Sequence, residues 1–164
     1  MSYPSYIRHV DNHHNGCFVA CFAMLLGVDY DAAFRMVHPK RDRYDHRGGY
    51  VSTARAFKRL VQYGLKPRIV TVGSIKDLHE TALIWMRWFA GGAMMHSVLY
   101  ESKTNKFWDP NWDGPVNPNG WKFNEIDFRK ETVVILDGYV PAEGMPPPIP
   151  EPVRYFYSEE IYDF

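Results

Sequence analysis

The chain has 164 residues, 19 basic and 19 acidic side chains, and a hydrophobic share of 46%. At roughly 150 residues per domain this is about one domain, with enough chain to bury a sizeable core. An aromatic share of 16% with balanced charge excludes an intrinsically disordered chain. A formal net charge of zero argues against a dedicated nucleic-acid or membrane-surface binder.

In chain order, the first ten residues read as an extended arm, with neither the basic start nor the apolar run of a secretory signal. Gly16 to Leu26 reads as a helix that is apolar almost all round, with Gly27 as its stop. A helix with no polar face belongs in the middle of a domain. Asp29 is expected to cap a second short helix, Tyr30 to Val37, ended by His38-Pro39. Lys40 to Gly49 is polar, carries Gly48-Gly49, and reads as a loop. Ser52 then caps a third helix running to about Tyr63, with Gly64 as the stop.

From there the pattern changes to strands. Pro67 to Val72 is β-branched, and Ser74 is placed to cap a helical stretch from Ile75 to Glu80. Leu83 to Phe89 reads as a strand, although its aromatic and Met content leaves a helix open. Met95 to Glu101 and Lys106 to Asp109 form a hairpin around Ser102-Lys103-Thr104-Asn105. Asp109 to Gly120 is rich in Pro, Asn and Gly and reads as loop. Phe123 to Arg129 suits a short helix, and Thr132 to Leu136 suits a final strand. Pro141 to Pro152 holds half of the chain's 12 prolines and favours an extended, polyproline-like conformation. Helices first, strands second and then an arm make an α+β chain with segregated elements: one domain over residues 1–140, and a Pro-rich, acidic and aromatic arm over 141–164.

No membrane span is expected. The most apolar stretch, Thr81 to Met95, is too short and is interrupted by Arg87. Cys17 and Cys21 sit four apart, which on a helix sets them along one face in a poor arrangement for a disulfide. A reduced, cytoplasmic chain with thiols available for chemistry is the expectation.

Asn15-Gly16-Cys17 opens the buried helix. The first turn of a helix presents N–H groups without intrahelical partners and the positive end of the dipole, so a thiol there ionises more easily. Cys21, one turn deeper, lacks that advantage and reads as inert core. His96 heads the run His-Ser-Val-Leu-Tyr. Beside small Ser97 it can project into a cleft, with Val98 and Tyr100 facing alternate sides of the sheet. Trp108-Asp109 closes the next strand. If the two strands pair, Asp109 lies near the His96 end and can hold the second ring N–H of the imidazole. Nucleophile, base and orienting group thus occur in the order Cys17, His96, Asp109.

These residues resemble the papain-like cysteine peptidases. The resemblance rests on Gly-Cys-x-x-Ala-Cys-x-Ala-Met-Leu-Leu-Gly at 16–27, the later His-Ser-Val strand and the following Asp-Pro. It is nearest to the branch that processes double-glycine leaders of bacteriocins, and it covers about Asp11 to Leu136. It implies a papain-like fold, N-terminal helices packed on a C-terminal antiparallel sheet, with Cys17 as nucleophile, His96 as general base and Asp109 as orienting residue. It further implies a peptidase or related thiol hydrolase that cleaves a peptide or isopeptide bond of a protein or peptide substrate, without a cofactor. Deamidation and acyl transfer use the same constellation. The family usually places a glutamine oxyanion donor about six residues before the cysteine. Here that neighbourhood reads Asp11-Asn12-His13-His14-Asn15-Gly16, so Asn12 is the substitute, with the Cys17 backbone N–H as the other donor.

Other readings stand beside this one. His9, His13, His14, Cys17 and Cys21 are ligand types that zinc accepts, yet no second Cys/His pair follows at finger-like spacing, and no metal is assigned. His14 instead lies where it could line a substrate cleft, and Trp112, in the loop after Asp109, is a candidate for substrate contact. Lys40 to Arg68 carries nine basic and two acidic residues, while the tail from Tyr139 is acidic. A solvated face explains the basic segment better than nucleic acid does. The acidic arm is expected to fold over that segment or to dock on a second subunit as a homo-oligomer contact. A second functional reading is a catalytically weak or inactive papain-like fold acting as a protein-binding module.

Overall fold

Gly16 and Gly27 bracket ten apolar residues, and the helix they bound is α1, Cys17–Leu26, with every residue buried. Gly27 adopts the left-handed conformation, φ 66°, and its N–H returns to the Ala23 carbonyl, the termination that glycine favours. Helix α2, Tyr30–Val37, begins where the Asp29 side chain accepts from the Ala32 N–H at 2.7 Å. Helix α3, Thr53–Gln62, begins where Ser52 accepts from the Arg55 N–H at 3.3 Å, and it ends before Gly64, φ 78°. All three helices lie where sequence patterning sets them.

The computed structural model describes residues 15–42, 44–72, 77–87, 95–103, 105–110 and 132–137. The expected N-terminal arm, the helix over Phe123–Arg129, the loop from residue 111 onward and the arm over 141–164 lie outside the described residues. So do Ser74 and the first residues of the helix it was expected to cap. Residues 78–80 are not helical, so that helix does not reach Glu80.

Among the described residues five strands follow: β1 Lys66–Val70, β2 Ala82–Arg87, β3 Met95–Glu101, β4 Lys106–Trp108 and β5 Thr132–Asp137. They form one sheet in the order β1-β5-β2-β3-β4, with every neighbouring pair antiparallel. The protein is therefore α+β, with three helices followed by an antiparallel sheet among the described residues. β2 resolves as a strand, and its alternation shows why: Leu83 and Trp85 pack into the helical core while Ala82 and Ile84 face the opposite side. β5 divides in the same way, Val134 and Leu136 against Val133 and Ile135.

One detail of β3 departs from expectation. Val98 and Tyr100 share the side away from the helices, and Leu99 faces the helical core. Residues two apart on a strand share a face, so Ser97 takes the side of Leu99, toward α1, which packs across β3. The main core thus lies between α1, α2, α3 and one face of the sheet, and the N-terminus of α1 meets the start of β3.

Candidate active site

The start of α1 is held from outside by a loop. Asn15 sits in the left-handed region, φ 56°, a conformation that asparagine tolerates better than most residues. Gly16 caps the helix without a side chain. Gly49 packs directly on it: a Cβ at Gly49 would lie 2.6 Å from Gly16 Cα and 2.6 Å from the Tyr30 hydroxyl. Only glycine fits so close an approach. The same loop is tied by Arg41, whose Nη1 donates to the Tyr50 carbonyl at 3.1 Å, and by Asp45, which pairs with Arg47 at 2.8 Å. The Gly48-Gly49 loop therefore backs onto the turn that presents Cys17.

The hairpin supplies the other two groups. β3 and β4 pair with Leu99 opposite Trp108 and Glu101 opposite Lys106, which brings Asp109, the next residue along, back toward the head of β3. There His96 Nε2 and Asp109 Oδ1 are 2.7 Å apart. Both are buried, His96 at 5% exposure and Asp109 at 0%. The Cys17 side chain is hydrogen-bonded to that of His96. Cys17, at 8% exposure, also takes hydrogen bonds from the backbone and the side chain of Ser97. Three groups separated by 79 and 13 positions in the chain thus meet at one point.

The electrostatics favour an ion pair. Burial pushes the Cys17 thiol up, but the His96 hydrogen bond and charge, joined by the Ser97 hydrogen bonds, outweigh it and leave the thiol below its ordinary value. Burial pushes His96 down, and the Asp109 and Cys17 interactions outweigh it, raising the imidazole to about 9. The two shifts run in the directions that stabilise thiolate and imidazolium together. Cys21 goes the other way: burial, with the nearby Cys17 and Asp109 charges adding to it, holds its thiol well above the usual range. Its Sγ donates to the Ser97 carbonyl at 3.5 Å. The two cysteines are not joined in a disulfide.

Sequence reasoning named Cys17, His96 and Asp109, and they come together. Asn12, His14 and Trp112 lie outside the described residues, as do His9 and His13 of the metal alternative. Among the described residues no group of three or more His, Cys, Asp or Glu is gathered as a metal site, and no single helix is long and apolar enough to cross a membrane. Two participants were missed. In the sequence Ser97 counts only for being small, although a hydroxyl beside a candidate base is a readable signal. Gly49 reads as a loop residue, and nothing local in the sequence points to its contact with Gly16.

In comparisons with known proteins, no family model matches the chain and no curated protein matches it.

Proposed function

We propose that this chain is a cysteine peptidase or related thiol hydrolase of papain-like fold, acting on a peptide or isopeptide carbonyl of a protein or peptide substrate. One observation carries the reading: buried His96 is hydrogen-bonded both to Asp109, at 2.7 Å, and to the side chain of Cys17 at the head of a buried helix. A helix that carries the nucleophile, packed on an antiparallel sheet that carries the base, accords with the papain-like arrangement. The sequence resemblance adds the order of the three residues.

In this reading the Cys17 thiolate attacks the carbonyl carbon, and the C=O electron pair moves onto oxygen. The backbone N–H of Cys17 and the Asn12 amide are the assigned oxyanion donors. As the C–N bond breaks, imidazolium His96 gives its proton to the leaving amine and a thioester to Cys17 remains. His96 then takes a proton from water, the resulting hydroxide attacks the thioester, and Cys17 leaves as thiolate. Asp109 keeps the ring oriented and its cation stabilised throughout.

The test is covalent capture. Incubation with a peptidyl epoxide, followed by mass mapping, is expected to modify Cys17 and spare Cys21, and activated peptide esters are expected to leave an acyl group on Cys17. His96→Ala should suppress both. Equal sluggishness of Cys17 and Cys21 would replace this reading with the protein-binding module.

A further inference from the structure

Ser97 touches both cysteines. Its hydroxyl and backbone N–H bond to the Cys17 side chain, and its carbonyl accepts from Cys21 Sγ at 3.5 Å. It is buried, it follows the base directly in sequence, and it sits on the α1 side of β3, paired across the sheet with Trp85. A buried serine hydroxyl needs a partner. Here the acceptor is the sulfur that must carry negative charge.

We propose that Ser97 is a further catalytic residue, whose hydroxyl donates to Cys17 Sγ and holds the resting thiolate in place beside His96, while Cys21 anchors the Ser97 carbonyl from one turn deeper in α1. The inference rests on the reading of Cys17 as the nucleophile. Cys21 thereby has a positioning role that its inertness alone does not suggest: it fixes the strand against the helix at the point where the thiolate is held. The other titratable groups around Cys17 among the described residues are His96 on β3, Asp109 after β4 and Cys21 on α1 itself.

A hydroxyl donor to a thiolate has two opposed effects. It increases the fraction of thiolate at acid pH, and it lowers the intrinsic nucleophilicity of that thiolate, because nucleophilicity falls with thiol pKa with a Brønsted slope of about 0.4–0.5. Removing it therefore tilts the reactivity profile rather than merely reducing it. Where loss of the hydroxyl lowers the thiolate fraction on the acid limb about tenfold, each remaining thiolate becomes about threefold more reactive.

The experiment follows the rate at which a small alkyl disulfide reacts with Cys17 across pH in the full chain, with mass mapping to separate it from Cys21. Ser97→Ala is expected to react about three- to fourfold more slowly than wild type on the acid limb and about threefold faster at the alkaline plateau, so that the two profiles cross. Ser97→Thr, which keeps the hydroxyl, is expected to restore the wild-type profile. If Ser97→Ala does not fold, Ser97→Thr and Ser97→Val repeat the comparison in matched shapes, with crossing profiles expected between them. Superimposable profiles, or a uniform slowing without a crossing, would overturn the role of Ser97 and leave the nucleophile assignment standing. A wild-type Cys17 that titrates as an ordinary thiol would instead overturn that assignment.

Discussion

Asp109 and His96 form a buried pair, and the two partners respond differently to replacement. Truncating one member of a buried charged pair leaves the other without compensation and costs about 3–5 kcal/mol, so Asp109→Ala is expected to report on stability more than on chemistry. Asp109→Asn keeps the shape and removes the charge. It is expected to lower the His96 pKa from about 9 toward its ordinary range and to slow Cys17 alkylation at neutral pH by about tenfold or more, measured by mass-resolved labelling. Unchanged labelling in a folded Asp109→Asn protein would remove Asp109 from the site.

The same pair sets a pH signature. A raised His96 pKa contributes stability that is fully present below 6.5 and is lost as pH rises through about 9. A lowered Cys17 pKa contributes stability that is present above 9.0 and is lost as pH falls through the folded value. The two slopes oppose each other where they overlap, so the pair leaves little mark on a stability curve in that range. The proposed hydrolysis would record it. Hydrolysis needs both thiolate and imidazolium, and its rate is expected to fall as pH rises past about 9, whereas alkylation, which needs only thiolate, is expected to persist. Parallel alkaline losses of both would contradict the assignment of His96 as proton donor.

At the scale of elements, the joint between the Gly48-Gly49 loop and α1 is the most sensitive point. Gly49→Ala would set a methyl group 2.6 Å from Gly16 Cα and from the Tyr30 hydroxyl, where neighbouring backbone must shift. The expected cost is about 1–3 kcal/mol by chemical denaturation, with slower Cys17 labelling because the turn before it moves. His38, at the end of α2, offers a second test. Burial first, and then the charges of Arg41 and Arg55, lower its pKa to about 3, so the folded protein holds it neutral. Its contribution is fully present above 6.5 and is lost as pH falls toward about 3. The melting temperature of wild type is therefore expected to drop across that window more steeply than that of His38→Gln.

The three helices were legible because their stop and start signals are local: Asp29 and Ser52 as caps, Gly27 and Gly64 as left-handed ends. The hairpin of β3 and β4 was legible for the same reason, and it carried Asp109 with it. Gly49 was not, because its constraint comes from Gly16, 33 residues earlier in the chain, and leaves no mark in its own neighbourhood.

At the scale of the whole molecule, the sheet order β1-β5-β2-β3-β4 places the last strand between the first and the second. No short-range pattern encodes that insertion. A continuous β-branched run identifies β5 as a strand buried on both faces, but its choice of neighbours is settled by long-range packing. Val134 and Leu136 complete the core under the helices, and β5 pairs on one side with β1 and on the other with β2. The site depends on this architecture indirectly: β2 holds β3 in register, with Met86 opposite His96 and Trp85 opposite Ser97, so the residues facing Cys17 are fixed from the middle of the sheet.

The central claim is that Cys17, and not Cys21, is an ionised nucleophile maintained by His96. The most direct measurement is the pH dependence of iodoacetamide labelling at each cysteine, resolved by mass mapping, in wild type and His96→Ala. The account predicts that Cys17 in wild type reacts well below the pH at which an ordinary thiol ionises, that His96→Ala moves this reactivity to higher pH, and that Cys21 stays unreactive throughout. Cys17 and Cys21 labelling together at the pH of ordinary thiols, with no response to His96→Ala, would contradict it.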